Sequence, residues 1–125
     1  SAASDVYKRQ EVYRTKVLVQ DMYQFVRSWH GKPLIIFEPE GEPASKVREE
    51  VAGFIVEKVV NAKKELGIMV GAREGVPTGL FRYADFVLDV APGIVISTDL
   101  ALTAGLIALG TIVHDKLLGL KNIQD

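Results

Sequence analysis

Cysteine is absent from the 125 residues, which removes a disulfide framework and every thiolate metal site. Histidine is scarce: His30 and His114 stand far apart with no metal-ligand spacing between them, so no metal centre is expected. A basic excess is missing too, since 15 Lys and Arg face 16 Asp and Glu for a net charge of -1. Freestanding nucleic-acid binders are usually basic, so any RNA contact has to come from a local patch or from another part of the protein. The longest apolar run, residues 100–113, is shorter than the roughly 18 to 20 residues of a membrane span and is interrupted by Gly105, Gly110, Thr103 and Thr111. It reads as a buried helix of a soluble, cytoplasmic protein without a membrane partner. There is no GxGxxG after a strand and no Lys-Ser/Thr pair of the kind that grips a triphosphate.

What is present begins with a segment to set aside. SAASDVYKRQ, residues 1–10, has the look of an in-frame translation of a transposon-based sequencing adapter, as left on reads assembled from environmental DNA, and it has no hydrophobic period. On this reading the natural chain starts near Glu11, residues upstream of it are lost, and 11–125 is the C-terminal part of a single domain. Removing Asp5, Lys8 and Arg9 leaves 13 basic against 15 acidic residues, a charge of -2.

The remaining chain alternates strand and helix patterns. Residues 15–19 form a short β-branched run. Asp21 with Gln24 predicts a helix start, with Met22, Phe25, Val26 and Trp29 at i, i+3, i+4 and i+7 and a stop at Gly31. Residues 33–37 predict a strand covered on both faces and ended by Glu38, Pro39, Glu40 and Gly41. Val47, Val51, Phe54, Ile55, Val59 and Ala62 predict one helix over 45–64, with Glu49 and Glu50 in its first turn and Lys63 and Lys64 in its last. Strands follow at 66–70 and 86–90, and a helix at 100–117. The order implies an α/β fold with a mainly parallel sheet and helices on both faces. In the last helix Ala101, Ala104, Gly105 and Ala108 make a small-residue stripe beside a second one of Leu102, Leu106, Leu109 and Val113. The small stripe fits either close packing on its own sheet or contact with another subunit.

The candidate site lies at strand ends. Gly71, Gly75 and Gly79 let the backbone turn sharply and approach a flat ligand; an ordinary glycine-rich connection would look the same. Arg73 and Glu74 project from that loop, where a cation could hold a phosphate and a carboxylate could orient a substrate or an amine, or both are simply solvated. Pro92 and Gly93 fit a type II turn; Ser97, Thr98 and Asp99 fit a helix N-cap. Asp99 could also act as a base, although a helix N-terminus makes a carboxylate more acidic. A rival site is Glu38, Glu40, Glu42 and Lys46, which could bind Mg²⁺ for phosphodiester cleavage, but Pro39 and Pro43 break the strand register and a solvated loop explains them.

Taken in order, Gly71, Ala72, Arg73, Glu74 and Gly75 with Gly79 and Leu80, then Val90, Ala91, Pro92 and Gly93, then Ser97, Thr98 and Asp99 before a small-residue helix, resemble the C-terminal part of the SPOUT superfamily of S-adenosylmethionine-dependent RNA methyltransferases, and an archaeal branch of it. The resemblance covers about two thirds of the chain, residues 33–117. It implies a C-terminal trefoil knot, a homodimer, and tRNA or rRNA as substrate. It further implies a cofactor pocket around Phe37, Glu38, Pro39, Gly71, Ala72, Gly75, Val90, Ala91, Pro92, Gly93, Ser97 and Thr98, with Arg73, Glu74 and Asp99 as catalytic candidates. Asp99 stands where the family usually has Asn, the glycine loop is longer through Val76, Pro77 and Thr78, and the early strands with the Arg of SpoU-like members fall in the lost region. The alternatives are a SPOUT-like binding module without catalysis and a Mg²⁺-dependent nuclease.

Overall fold

The computed structural model describes residues 21–71, 75–93 and 98–124. The sequence readings for 1–10 and 15–19 fall outside them. Helix α1 (Met22–Ser28) starts as expected: the Asp21 carboxylate accepts from the backbone N–H of Tyr23 at 2.9 Å and of Gln24 at 3.1 Å, satisfying two orphan donors of the first turn. The chain leaves it through Gly31 at φ +79°.

Strand β1 (Leu34–Pro43) is the centre of a three-stranded parallel sheet of order β2-β1-β3, with β2 at Gly67–Val70 and β3 at Phe86–Asp89. Leu34, Ile35, Ile36 and Phe37 are buried in succession, the mark of a strand covered on both sides. Their registers, Leu34 on Gly67 through Phe37 on Val70 and Ile35 on Phe86 through Phe37 on Leu88, bring all three strand ends to one edge. Asp85 pins the opposite edge, donating its N–H to the Leu34 carbonyl at 2.8 Å and accepting from the Leu34 N–H at 2.9 Å.

One face of the sheet carries Ile35, Phe37 and Leu88 against helix α2 (Arg48–Ile55) and the long helix α3 (Thr98–Gln124), through Val51, Ile55 and Leu109. The other carries Leu34, Ile36 and Met69 against Val26 of α1 and Leu80 of a 3₁₀ helix (Thr78–Tyr83). The result is an α/β unit of three layers.

Three expectations are corrected. The strand does not end at Phe37: the chain bulges through 38–41 and re-pairs, Glu42 with Leu88 and Pro43 with Asp89. Gly41 permits this, because a Cβ there would lie 2.4 Å from the Val87 carbonyl oxygen. The helix over 45–64 is shorter and widens into a π turn at Val56–Val60, closed by Asn61 N–H to Val56 and Lys64 N–H to Val59 carbonyls at 2.8 and 3.0 Å. Lys63 then reverses the chain at φ 53°, and Ala62 is exposed rather than on the apolar side. Helix α3 also outruns its apolar core, so that Leu100–Leu120, 21 residues of mean hydropathy 1.4, is long and apolar enough by composition to cross a membrane. The expected buried helix is not found: within 100–120 only Gly105, Leu109 and Ile112 are buried, and large apolar side chains such as Ile107 are exposed.

Gly105 sets how closely α3 approaches the sheet, because a Cβ there would fall 2.2 Å from the Phe37 ring. Gly110, on the same helix, has no described residue within 4 Å of its Cβ position. Gly105→Val should therefore cost about 1–3 kcal/mol of stability by overpacking, whereas Gly110→Ala should add about 0.5–1 kcal/mol of helix propensity. Urea denaturation of the two variants should show midpoints moving in opposite directions.

Candidate cofactor-binding edge of the sheet

The site is built where β2 and β3 end beside the bulge of β1. Phe37 is paired with Val70 on one side and Leu88 on the other, so the turns after each strand leave from adjacent positions. This is the edge where open parallel sheets place ligands. The Phe37 side chain is buried against Gly105, so only its backbone is offered to a ligand.

The turn after β2 is held by Glu38. Its carboxylate is half-buried and accepts from the Val76 N–H at 3.1 Å. Gly75, at φ +81°, lies so near that a Cβ would stand 2.9 Å from the same carboxylate. Gly71 is buried, and its Cβ position lies 2.2 Å from the Gly75 carbonyl carbon, so the two ends of the glycine loop meet back to back. Ala72, Arg73 and Glu74, the tip between those ends, lie outside the described residues, as does Ser97.

The turn after β3 is shaped by an Asp and a Gly. Asp89 Oδ1 accepts from the Ala91 N–H at 3.1 Å, while the Asp89 carbonyl takes the Ala44 N–H at 3.0 Å and ties the turn to the re-paired end of β1. Pro92 and Gly93 are exposed, and Gly93 at φ +79° has the left-handed geometry of a type II turn's third residue. Among the described residues nothing lies within 4 Å of its Cβ position. Thr98 and Asp99 fall in the first turn of α3.

Of the sequence-selected residues, Phe37, Glu38 and the exposed Pro39 thus lie at the bulge of β1, beside Gly71 and Gly75 after β2 and Val90, Ala91, Pro92 and Gly93 after β3. The rival acidic group does not assemble: Glu38 is turned onto the glycine loop while Glu40 and Glu42 are exposed. Among the described residues no three His, Asp or Glu side chains stand close enough to hold a metal ion. Two features were missed from sequence. The Glu38 strap was signalled only by a glycine spaced for a positive φ. A cleft between α1 and the 3₁₀ helix, lined by Tyr23, Arg27, His30, Arg82 and Tyr83, was signalled by Tyr and Arg at i, i+4 facing an Arg-Tyr pair.

A parallel sheet with glycine turns gathered at one edge is an α/β architecture, the class in which ligands commonly bind at that edge. The chain belongs to the AF2226-like SPOUT RNA methylases fused to THUMP, whose family pattern it matches over residues 4–125. It is 41% identical, over 101 residues, to an uncharacterized protein of Methanocaldococcus jannaschii, a match covering 79% of this chain and 27% of that protein. The chain therefore spans about a quarter of the length of that relative. No solved structure matches it.

The strap yields a graded prediction. Glu38→Ala leaves the Val76 N–H without its acceptor and should cost about 1–3 kcal/mol, whereas Glu38→Gln, which keeps an oxygen in place, should cost less than half of that. Thermal unfolding of both variants measures the difference.

Proposed function

We propose that this chain binds S-adenosylmethionine at the carboxyl edge of β1, β2 and β3, and that the whole protein transfers its methyl group to tRNA or rRNA. The observation that carries this reading is the gathering of the 38–39, 71–75 and 90–93 turns at one edge of a parallel sheet in a chain of SPOUT RNA methylase membership. The fit to the cofactor rests on the backbone: Gly71, packed against the Gly75 and Val76 main chain, and Gly75, packed against the Glu38 carboxylate, on the β2 side, with a left-handed Gly93 on the β3 side, would let main chain approach a flat purine without side-chain obstruction.

When bound, S-adenosylmethionine supplies an electrophilic methyl on its sulfonium. The chain's own work is orientation, which can supply several kcal/mol by holding the RNA nucleophile in near-attack geometry. Arg73 pairs with an RNA phosphate, Glu74 orients the cofactor amine, and Asp99 takes the proton that the nucleophile releases as it accepts the methyl. Ser97 and Thr98 cap α3 beside the methionine part. Residues 94–117 pass through the preceding loop as a trefoil knot, and the protein acts in the cytoplasm.

Whole protein given tritiated S-adenosylmethionine and unmodified tRNA or rRNA should label the RNA, and Arg73→Ala should reduce labelling at least tenfold. Cofactor binding without labelling would leave a binding module. RNA cleavage that requires Mg²⁺ would promote the nuclease reading and contradict ours.

The same reading includes a homodimer built on α3. Gly105 of the small stripe is consumed by Phe37 of its own sheet, while Leu100, Leu106, Ile107, Leu117, Leu118 and Leu120 are large apolar side chains exposed on this helix. Leu100, Ile107 and Leu118 repeat at seven and eleven residues, so they fall on one stripe, the pattern of a helix seam. Ile107, 64% exposed, lies midway along it. Ile107→Glu should shift light scattering from dimer to monomer with thermal stability of the sheet little changed; an unaltered dimer would place the interface elsewhere.

A further inference from the structure

We propose that the cleft between α1 and the 3₁₀ helix is a second RNA-contacting surface, which holds single-stranded nucleotides of the substrate on the face of the sheet opposite α3. The proposal rests on the RNA methylase reading for the identity of the anion, and on its own geometry for the site. The cleft has a volume of about 820 Å³ and is floored by the buried Val26 and Leu80. Tyr23 and Tyr83 are 54% and 41% exposed, so both rings are accessible to a ligand. Arg27 and His30 come from the end of α1 and Arg82 from the 3₁₀ helix, and among the described residues no carboxylate lines the cleft. In a chain of net charge -1, that is a local reversal of sign.

The chemistry of the lining selects its occupant. The Arg82 guanidinium lies 4.9 Å from the Tyr83 ring centroid and donates to the Tyr83 hydroxyl at 2.8 Å. A guanidinium placed in this way keeps further N–H donors for a phosphate, while the exposed Tyr23 ring is open to a base. An acidic peptide would use the arginines but has no need of two tyrosines. Phosphates interleaved with bases use both, since bases stack on aromatic side chains without sequence preference. Leu80 packs beside Val76, whose N–H is held by Glu38, and the 3₁₀ helix begins three residues after Gly75. A strand of RNA lying in the cleft would therefore lead toward the glycine loop rather than away from it.

The full chain, titrated against fluorescein-labelled oligoadenylate and followed by anisotropy, tests the proposal, with S-adenosylmethionine calorimetry run in parallel. Arg27→Glu with Arg82→Glu should weaken oligoadenylate binding at least tenfold and lower the salt slope by about 0.7 for each phosphate no longer neutralised, with cofactor affinity unchanged. Tyr23→Ala, which removes no charge, should weaken binding about tenfold at constant salt slope. All three positions are exposed, so the variants should unfold at the wild-type temperature. Oligoadenylate affinity untouched by the arginine pair, or displaced equally well by polyglutamate, overturns the cleft as an RNA surface. Should the cofactor fail to bind while the variants still lose oligoadenylate, the methyl-transfer reading falls and the cleft stands.

Discussion

A strand buried on both faces is the constraint from which the rest of this architecture follows. Leu34, Ile35, Ile36 and Phe37 leave no side of β1 for water, so each face needs its own helical layer and each edge its own parallel partner. Parallel partners require crossovers, which α2 and its π turn provide between β1 and β2. The 3₁₀ helix lies between β2 and β3 and covers the opposite face. Because all three strands run the same way, their carboxyl ends must share an edge, and the glycine turns gather there for that reason.

Phe37 couples that edge to the long helix. Its ring occupies the space a Cβ would need at Gly105, which locks α3 against the last residue before the β1 bulge. Ion pairs of Arg48 with Asp115 and of Lys116 with Glu49 tie α3 to α2 further along, but these side chains are largely solvated and add little. Position thus comes from packing at the strand end. The same contact explains why the polar and apolar halves of α3 are not cleanly divided: one narrow stripe meets the sheet, and large leucines remain outside for another surface.

Much of this was legible in the sequence where a local rule was not overruled. Asp21 caps as its side chain dictates, and the three strands sit at the three apolar runs. Gly31 and Gly93 turn the chain where a positive φ is needed. The re-pairing of Glu42 and Pro43 was not legible, because a proline and two glutamates look like a loop until β3 is there to receive them. The π turn was hidden because Val56 and Val59 satisfy a regular helix on paper. At the site, the glycines were legible as turns, but the Glu38 strap depends on two segments 38 residues apart in sequence. The small stripe on α3 was read as one surface, and the structure separates Gly105 from it by the single contact with Phe37.

On the proposed reading three separate turns make one cofactor site, and hydrogen–deuterium exchange with and without S-adenosylmethionine tests that directly. The predicted result is protection rising together at the amides of Glu38, residues 71–76 and Val90, Ala91 and Gly93, with α2 unchanged. Protection that fails to appear, that is confined to one of the three turns, or that arises instead between α1 and the 3₁₀ helix would contradict it.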